Sequence, residues 1–216
     1  MKNDRWCVVI SAALLLAGCG GGPQSDSGND RAAALTEEQT RQVLPDGEAM
    51  PGWRQTHRPT VLKLDNRLYR SQACPARNNA GCEESRFYGA STFREDDSAA
   101  TVTFLVIAYD SERAAREAYD VLWDGYYGER AGQRARVFEI GPIGDERDAR
   151  FGSYDFEGHP GGVTQTRVGT TLLWTQATSA GRGGIDEDRM GELATVLAER
   201  ARQAQNGDEP SATLDG

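Results

Sequence analysis

Histidine, lysine and cysteine are scarce in this chain of 216 residues. It has two histidines, four cysteines and only two lysines, so its basic residues are almost all arginines. The motifs H-E-x-x-H, G-x-S-x-G, the P-loop and G-x-G-x-x-G are absent from the sequence. Their absence excludes the easily recognised hydrolase, nucleotide-binding and dinucleotide-cofactor classes, and we expect no cofactor.

Acidic residues outnumber basic ones by 33 to 24, which gives a formal charge of -9. Removing residues 1–18 leaves 22 basic and 32 acidic residues, and a formal charge of -10. Tight binding to a phosphate backbone depends on an excess of Lys and Arg. We therefore expect no nucleic acid among the partners of this protein.

A long hydrophobic run is also missing. The longest apolar stretch covers residues 6–17, whereas a helix that spans a bilayer needs about 20 apolar residues. The stretch follows a positive n-region and ends in Leu16-Ala17-Gly18-Cys19, which resembles a bacterial lipobox. The pattern predicts a signal peptide over residues 1–18 and lipid attachment at Cys19. An ordinary signal peptide or an uncleaved anchor is the alternative.

Resemblance to bacterial lipoproteins implies two or three acyl chains on Cys19. Each buried methylene contributes about 0.8 kcal/mol, so that two chains anchor stably where one would be marginal. Residues 19–34 are rich in Gly, Ser, Asp and Asn and are predicted to form a flexible tether with a reach of about 20 Å. We expect a lipid-anchored protein on the outer face of the cell membrane.

Two of the four cysteines remain available to the folded part. Cys7 leaves with the signal peptide and Cys19 carries the lipid, so Cys74 and Cys82 are expected to form a disulfide in an oxidising compartment. Closing so short a loop contributes about 2.5 kcal/mol in the chain-entropy model. A metal or redox site is disfavoured, because there is no C-x-x-C and no local histidine.

Hydrophobic patterning predicts a β-rich domain over residues 35–205. Residues 100–108 carry apolar side chains in both alternate sets, so this strand is expected to be covered on both faces and to lie centrally in the sheet. Residues 95–98 form a hairpin turn before it, and Gly169-Thr170 joins the last two strands. The predicted strands are residues 61–64, 86–94, 100–108, 136–140, 151–156, 163–168 and 171–176.

Three helices are predicted. Thr36 and Gln39 fit a capping box for a short helix that ends at Pro45, with Leu35, Val43 and Leu44 buried. Two longer helices cover residues 111–123 and 186–205, and residues 206–216 are predicted to be a disordered tail. The apolar stripes of the long helices consist of Ala114, Ala115, Ala118, Val121 and Leu122, and of Met190, Leu193, Ala194, Leu197, Ala201 and Ala204.

Few residues suggest a catalytic, metal-binding or ligand-binding role. His57 and His159 lie in surface or loop contexts, and nothing local positions either as a base or a ligand. Asp186 begins a run like an EF-hand loop, but Met190 and Leu197 occupy positions that need oxygen ligands, so a helix N-terminus and no metal is predicted. The aromatic group Tyr119, Trp123, Tyr126 and Tyr127 is either core packing or a platform for a sugar, lipid or peptide ligand.

A family resemblance covers residues 35–204. Gly144-Asp145-Glu146, the segment 167–174 with its Arg-Val-Gly-Thr-Thr sequence, and the helix after Ala108-Tyr109-Asp110-Ser111 resemble the extracytoplasmic sensor domain of the actinobacterial receptor serine/threonine kinase H and its lipoprotein relatives. Those kinase domains carry two disulfides, where this chain offers only Cys74 and Cys82.

The resemblance implies an α+β fold, with a twisted, mainly antiparallel sheet flanked by two long helices in a single domain. It also implies a cleft for an extracellular ligand and no enzyme activity, with no catalytic or ligand residue carried over. The sequence thus predicts a non-catalytic ligand-binding or sensing lipoprotein. An envelope protein–protein interaction module is the alternative, and a hydrolase with a non-local acidic site is a third hypothesis.

Overall fold

The computed structural model describes residues 32–95, 97–153, 158–180 and 184–215. The predicted signal peptide, Cys19 and most of the predicted tether lie outside the described residues. Residues 31–216 belong to one compact unit. Among the described residues, no helix combines the length and the apolarity that crossing a membrane requires.

The centre of the fold is an antiparallel sheet of seven strands, in the order β1-β2-β3-β7-β6-β5-β4. The predicted hairpin β2–β3 and the tight turn β6–β7 are both present, and β3 joins the two by pairing with β7. The strands are β1 Arg54–Lys63, β2 Ser85–Arg94, β3 Ala100–Tyr109, β4 Arg136–Val137, β5 Glu146–Ser153, β6 Pro160–Val168 and β7 Thr171–Ser179.

Helices cover both faces of the sheet. Helix α4 (Glu187–Gln205) and the short α1 (Glu37–Val43) lie on one face, and α3 (Glu112–Gly125) lies on the other, followed by a 3₁₀ turn at Tyr127–Ala131. The remaining helix, α2 (Arg67–Ala73), packs on the α3 side. The α+β fold, a mainly antiparallel sheet flanked by two long helices, is therefore confirmed.

The predicted helix starts are confirmed in atomic detail. The Thr36 hydroxyl accepts a hydrogen bond from the Gln39 amide, and the Gln39 side chain accepts one from the Thr36 amide, which completes the capping box. At α3 and α4 the N-cap side chains of Ser111 and Asp186 accept from the amides of Ala114 and Arg189, without the reciprocal bond. Each cap satisfies an amide that the first helical turn leaves without a partner.

Several predicted boundaries are wrong. Strand β1 begins at Arg54 instead of residue 61, because it is an edge strand whose outward polar side chains hide the strand pattern. The strand predicted at 151–156 is β5, which starts at Glu146, and residues 154–157 lie outside the described part of the chain. The strand predicted at 136–140 continues only to Val137. Helix α2 was not predicted.

Two burial predictions are also corrected. Val121 is 40% exposed, because the buried stripe of α3 turns toward Tyr119 and Trp123 instead. The C-terminal segment was predicted to be disordered, but Leu214 is buried and its amide donates to the Ala49 carbonyl. The Leu214 side chain and hydrogen bonds with Arg200, Gln203 and Ala49 dock this polar segment, which composition alone does not reveal.

Candidate functional site

The two faces of the sheet have different chemistry, because alternate side chains of each strand point to opposite faces. The α4 side is an apolar core that includes Phe93, Val102, Phe104, Val106 and Leu173. Three hydroxyls on this side, of Ser91, Thr166 and Thr175, are buried without a hydrogen-bond partner among the described residues. This face holds the fold together.

A hydrogen-bonded network lies under α3. The Trp174 indole donates to the Gln165 side-chain oxygen over 2.6 Å, and the Gln165 amide donates to the Tyr119 carbonyl. The Tyr119 hydroxyl in turn donates to the half-buried Asp148 carboxylate over 2.9 Å. Burial raises the pKa of both Tyr119 and Asp148. The network ties α3 to β5, β6 and β7.

The predicted aromatic group is mostly core. Tyr119, Trp123 and Tyr127 are buried, and the Tyr127 ring stacks on Trp174 with centroids 4.2 Å apart. Tyr126 is only partly buried and meets Tyr127 edge to face. Packing therefore accounts for three of the four rings, and Tyr126 alone stays accessible to a ligand.

The predicted disulfide is confirmed. Cys74 and Cys82 are bonded, with their Cα atoms 5.8 Å apart, and both are buried. The bridge links the end of α2 to the loop before β2, where the Tyr109 hydroxyl donates to the Gly81 carbonyl. It is a structural crosslink of the α3-side core.

Beyond the area under α3, the same face of the sheet is partly exposed. Paired residues of neighbouring strands place Thr92 opposite Thr103, and Thr103 opposite Gln176. The next row pairs Thr101 with Thr178. We call this surface the open face, and define it as the partly exposed residues Ala90, Thr92, Thr101, Thr103, Gln176 and Thr178.

The open face presents hydroxyl and amide groups. The hydroxyls of Thr92 and Thr103 lie 3.3 Å apart. Tyr88, one row toward α3 from Ala90, is partly exposed, and burial, together with the nearby Tyr126, raises the pKa of its hydroxyl to about 12. Tyr88 therefore borders the open face as a neutral aromatic group, with the Tyr126 ring nearby.

Five of the six longer strands of this sheet carry no carboxylates, and the exception is β5, which contains Glu146 and Asp148. Not one Asp or Glu occurs in β1, β2, β3, β6 or β7, although the chain has 33 acidic residues. Arg94 lies at the end of the open face, next to Thr101 across the strand pair. The structure gives Arg94 no ion pair within the residues that it describes. The open face is thus a polar surface with a basic margin in an acidic protein.

The motif that carries the family resemblance has a structural role. Arg167 is buried, and its guanidinium donates to the carboxylates of Asp145 and Glu146 over 2.8 and 2.5 Å. Asp145 also accepts from the Gly169 amide. Gly144 adopts a φ of +63°, and a Cβ there would collide with the Arg167 carbonyl. These residues lock the start of β5 to the β6–β7 turn.

The remaining predicted residues do not form a site. His57 lies exposed in β1, and His159 is partly exposed just before β6. Asp186 caps α4, as predicted, beside an open groove of about 340 Å³ that is rich in carboxylates. No group of three or more potential ligands that could hold a metal ion occurs among the described residues. Cys19 lies outside them.

Comparison with known proteins identifies the fold. No protein-family model matches the sequence, and no curated protein matches it. The structure is similar to the crystal structure of the extracellular domain of PknH from Mycobacterium tuberculosis, with a TM-score of 0.53 and 12% sequence identity. The match covers 82% of this chain and 100% of that domain. The chain therefore has the α+β fold of that extracellular domain, as the sequence resemblance predicted.

Proposed function

We propose that this protein is a non-catalytic, extracytoplasmic binding or sensing module that is tethered to the outer face of the membrane through lipid on Cys19. The observation that carries the binding role is the open face, a polar surface that the core does not use, on the fold of an extracellular domain. Tyrosines that combine an apolar ring with an accessible hydroxyl are enriched at recognition surfaces.

The cysteine chemistry supports an extracytoplasmic location. The Cys74–Cys82 bridge closes a short loop inside the folded domain. Disulfides of this kind persist in oxidising compartments and are rare in the cytosol. The lipobox-like sequence before Cys19 supports the same location, because lipoprotein processing takes place on exported chains.

The anchor is tested by intact-mass spectrometry of membrane-extracted protein and of a Cys19→Ala variant. We expect the wild-type mass to equal residues 19–216 plus acyl chains, and the variant to leave the membrane fraction. Cys7→Ala is the matched control, because Cys7 is removed with the signal peptide and its loss should change nothing. An unmodified N-terminus would overturn the anchor.

Ligand binding is tested by the melting temperature of the purified protein in the presence of an extract of its own cell envelope. A ligand that binds only the folded state raises the melting temperature, and the stabilisation grows with the logarithm of its concentration over Kd once that ratio is large. Thr103→Trp should abolish this rise by blocking the open face, whereas Arg202→Trp on the exposed surface of α4 should preserve it. An unchanged wild-type melting temperature would contradict the binding role.

A further inference from the structure

We propose that the open face binds a glycan that carries acidic groups. This inference rests on the proposed function and adds the chemical class of the ligand. Three features of this surface support it: the hydroxyls that line the surface, the tyrosines at its border and the distribution of charge around it.

The lining offers the groups that sugar hydroxyls need. Thr92, Thr101, Thr103 and Thr178 each supply a hydroxyl, and Gln176 supplies an amide. The Thr178 hydroxyl donates to the Pro160 carbonyl and can accept from a ligand, whereas Thr92 and Thr103 share one hydrogen bond, so that one of these two hydroxyls can donate to a ligand. Their cross-strand pairing places them in two rows on one face of the sheet. Neighbouring strands are about 4.8 Å apart, a spacing that lets successive rows reach successive hydroxyls of an extended chain.

Aromatic rings border the hydroxyl rows. Tyr88 lies one row away on β2, and Tyr126 extends from the end of α3, with the Arg130 guanidinium 5.8 Å from its ring centroid. A partly exposed tyrosine offers an apolar ring to the C–H face of a sugar and a hydroxyl to its polar edge. The border therefore favours a ligand that has both kinds of surface.

Charge selects an acidic ligand over a basic one. Five strands of the sheet carry no carboxylate, while β1 and β2 together carry five Arg or Lys residues. Lys63 and Arg86 pair with Glu37 and Asp110, but Arg94 at the end of the open face has no such pair within the described residues. Arg94 is thus placed to bind a carboxylate or a phosphate of the ligand.

Other ligand classes fit this surface poorly. A metal ion needs carboxylates, which β2, β3 and β7 lack. A membrane surface needs exposed apolar side chains, and the described residues with large exposed hydrophobic groups are Leu68, Val121 and Val137, none of which lies on the open face. An added peptide strand would pair with a sheet edge, whereas the open face is formed by β2, β3 and β7 inside the sheet.

The test is calorimetric titration of the full-length protein, extracted in detergent, with three probes. The probes are oligogalacturonate, a neutral dextran oligosaccharide of equal length, and vesicles that contain phosphatidylglycerol. We expect saturable binding of oligogalacturonate that weakens with added salt, and weaker binding of the neutral chain. Arg94→Gln should lower the affinity about tenfold, the loss of one charge-assisted hydrogen bond.

Matched variants separate the surface from the fold. Thr103→Val removes one hydroxyl without changing shape and should lower the affinity about threefold to fivefold. Arg202→Gln and Thr195→Val, both on α4, should leave the affinity unchanged. The melting temperature of each variant in the absence of ligand reports whether the protein is folded.

Three results would overturn the inference. These are no saturable binding of oligogalacturonate by the folded protein, equal affinity of the wild type and Arg94→Gln, or binding to the vesicles alone. If the envelope extract still raises the melting temperature of the wild type and not of Thr103→Trp, the binding function stands and only the ligand class is wrong. If the extract has no effect either, the proposed function itself fails.

Discussion

The face of the sheet beneath α4 is apolar and buried. The opposite face has a buried network of side-chain hydrogen bonds beneath α3 and is partly exposed to solvent beyond that helix. The α4 side buries Phe93, Phe104 and Leu173 against the aliphatic stripe of the helix. The α3 side buries Trp174 together with polar Gln165 and leaves the threonine rows partly exposed. The two sides therefore have different roles. The α4 side stabilises the fold, and the α3 side both stabilises it and presents an accessible surface.

Among the described residues, Arg200 is the charged side chain that is buried on the α4 side. It lies in α4, and its guanidinium donates to the carbonyls of Gln42, Val43 and Ala212 over 2.9 to 3.2 Å. Two of these carbonyls belong to the end of α1, where free carbonyls concentrate negative partial charge. Burial lowers the pKa of Arg200. The side chain joins α1, α4 and the C-terminal segment.

The largest expected effect comes from breaking this junction. Arg200→Ala should lower the free energy of unfolding by about 3 to 4 kcal/mol, because it removes three charge-assisted hydrogen bonds, one to the buried Val43 carbonyl and two to the partly buried carbonyls of Gln42 and Ala212. Urea denaturation measures the change. The nearby exposed Arg202→Ala, which loses only its pair with Glu199, should cost about 0.5 kcal/mol. Equal costs for the two variants would show that Arg200 is not a junction.

Removing the disulfide tests the covalent support of the α3 side. The double variant Cys74→Ala, Cys82→Ala should lose about 2.5 kcal/mol, the chain-entropy value for so short a loop. Wild-type protein under reducing conditions should lose a similar amount in the same urea titration. If neither treatment changes the midpoint, the bridge does not support the α3 side.

Asp148 should make the stability of the α3 side depend on pH. Its pKa is raised in the folded state by burial and then by nearby Asp120 and Asp124, against opposing effects of Tyr119 and Arg150. A carboxyl with a raised folded pKa stabilises the fold when protonated, so stability should fall as pH rises from the ordinary value near 3.8 through the folded pKa.

Asp148→Asn removes this titration while keeping an acceptor for the Tyr119 hydroxyl. We expect the variant to lose less stability than the wild type between acidic and neutral pH, as measured by denaturation at a series of pH values. Asp120→Asn, at an exposed position on α3, is the control and should retain most of the wild-type slope. A wild-type slope in Asp148→Asn would refute the assignment.

The smallest expected changes in stability come from removing one threonine hydroxyl on each face of the sheet. Thr175→Val removes a buried hydroxyl that has no partner within the described chain, and should stabilise the fold by up to about 1 kcal/mol. Thr103→Val on the open face should change stability by less than about 0.5 kcal/mol. A large loss in Thr103→Val would mean that the open face contributes to folding.

The sequence predicted elements that carry strong local signals. The periodicity of α4, the hairpin β2–β3, the capping box at Thr36 and the Cys74–Cys82 bridge were all recognisable, because each depends on neighbouring residues or on elimination among few cysteines. Helix α2 escaped because seven residues carry little periodicity, although Asn66 before it is a usable N-cap signal.

The candidate site was not predictable in the same way. Thr92, Thr103 and Gln176 come from three strands, and only the register of the sheet brings them together. In the sequence, the threonines in β2 and β3 are indistinguishable from ordinary strand-forming residues. The absence of carboxylates from five strands can be read from the sequence. Its relevance to binding depends on the structure, which shows that these strands lie in one sheet.

The most direct test of the binding surface is photo-crosslinking in intact cells, with a photoreactive phenylalanine analogue at position 103 or position 202. We predict a light-dependent adduct when the analogue is at position 103, on the open face, and none when it is at position 202, on the exposed side of α4. No adduct at either position, or equal adducts at both, would contradict the claim that the open face is where this protein meets its ligand.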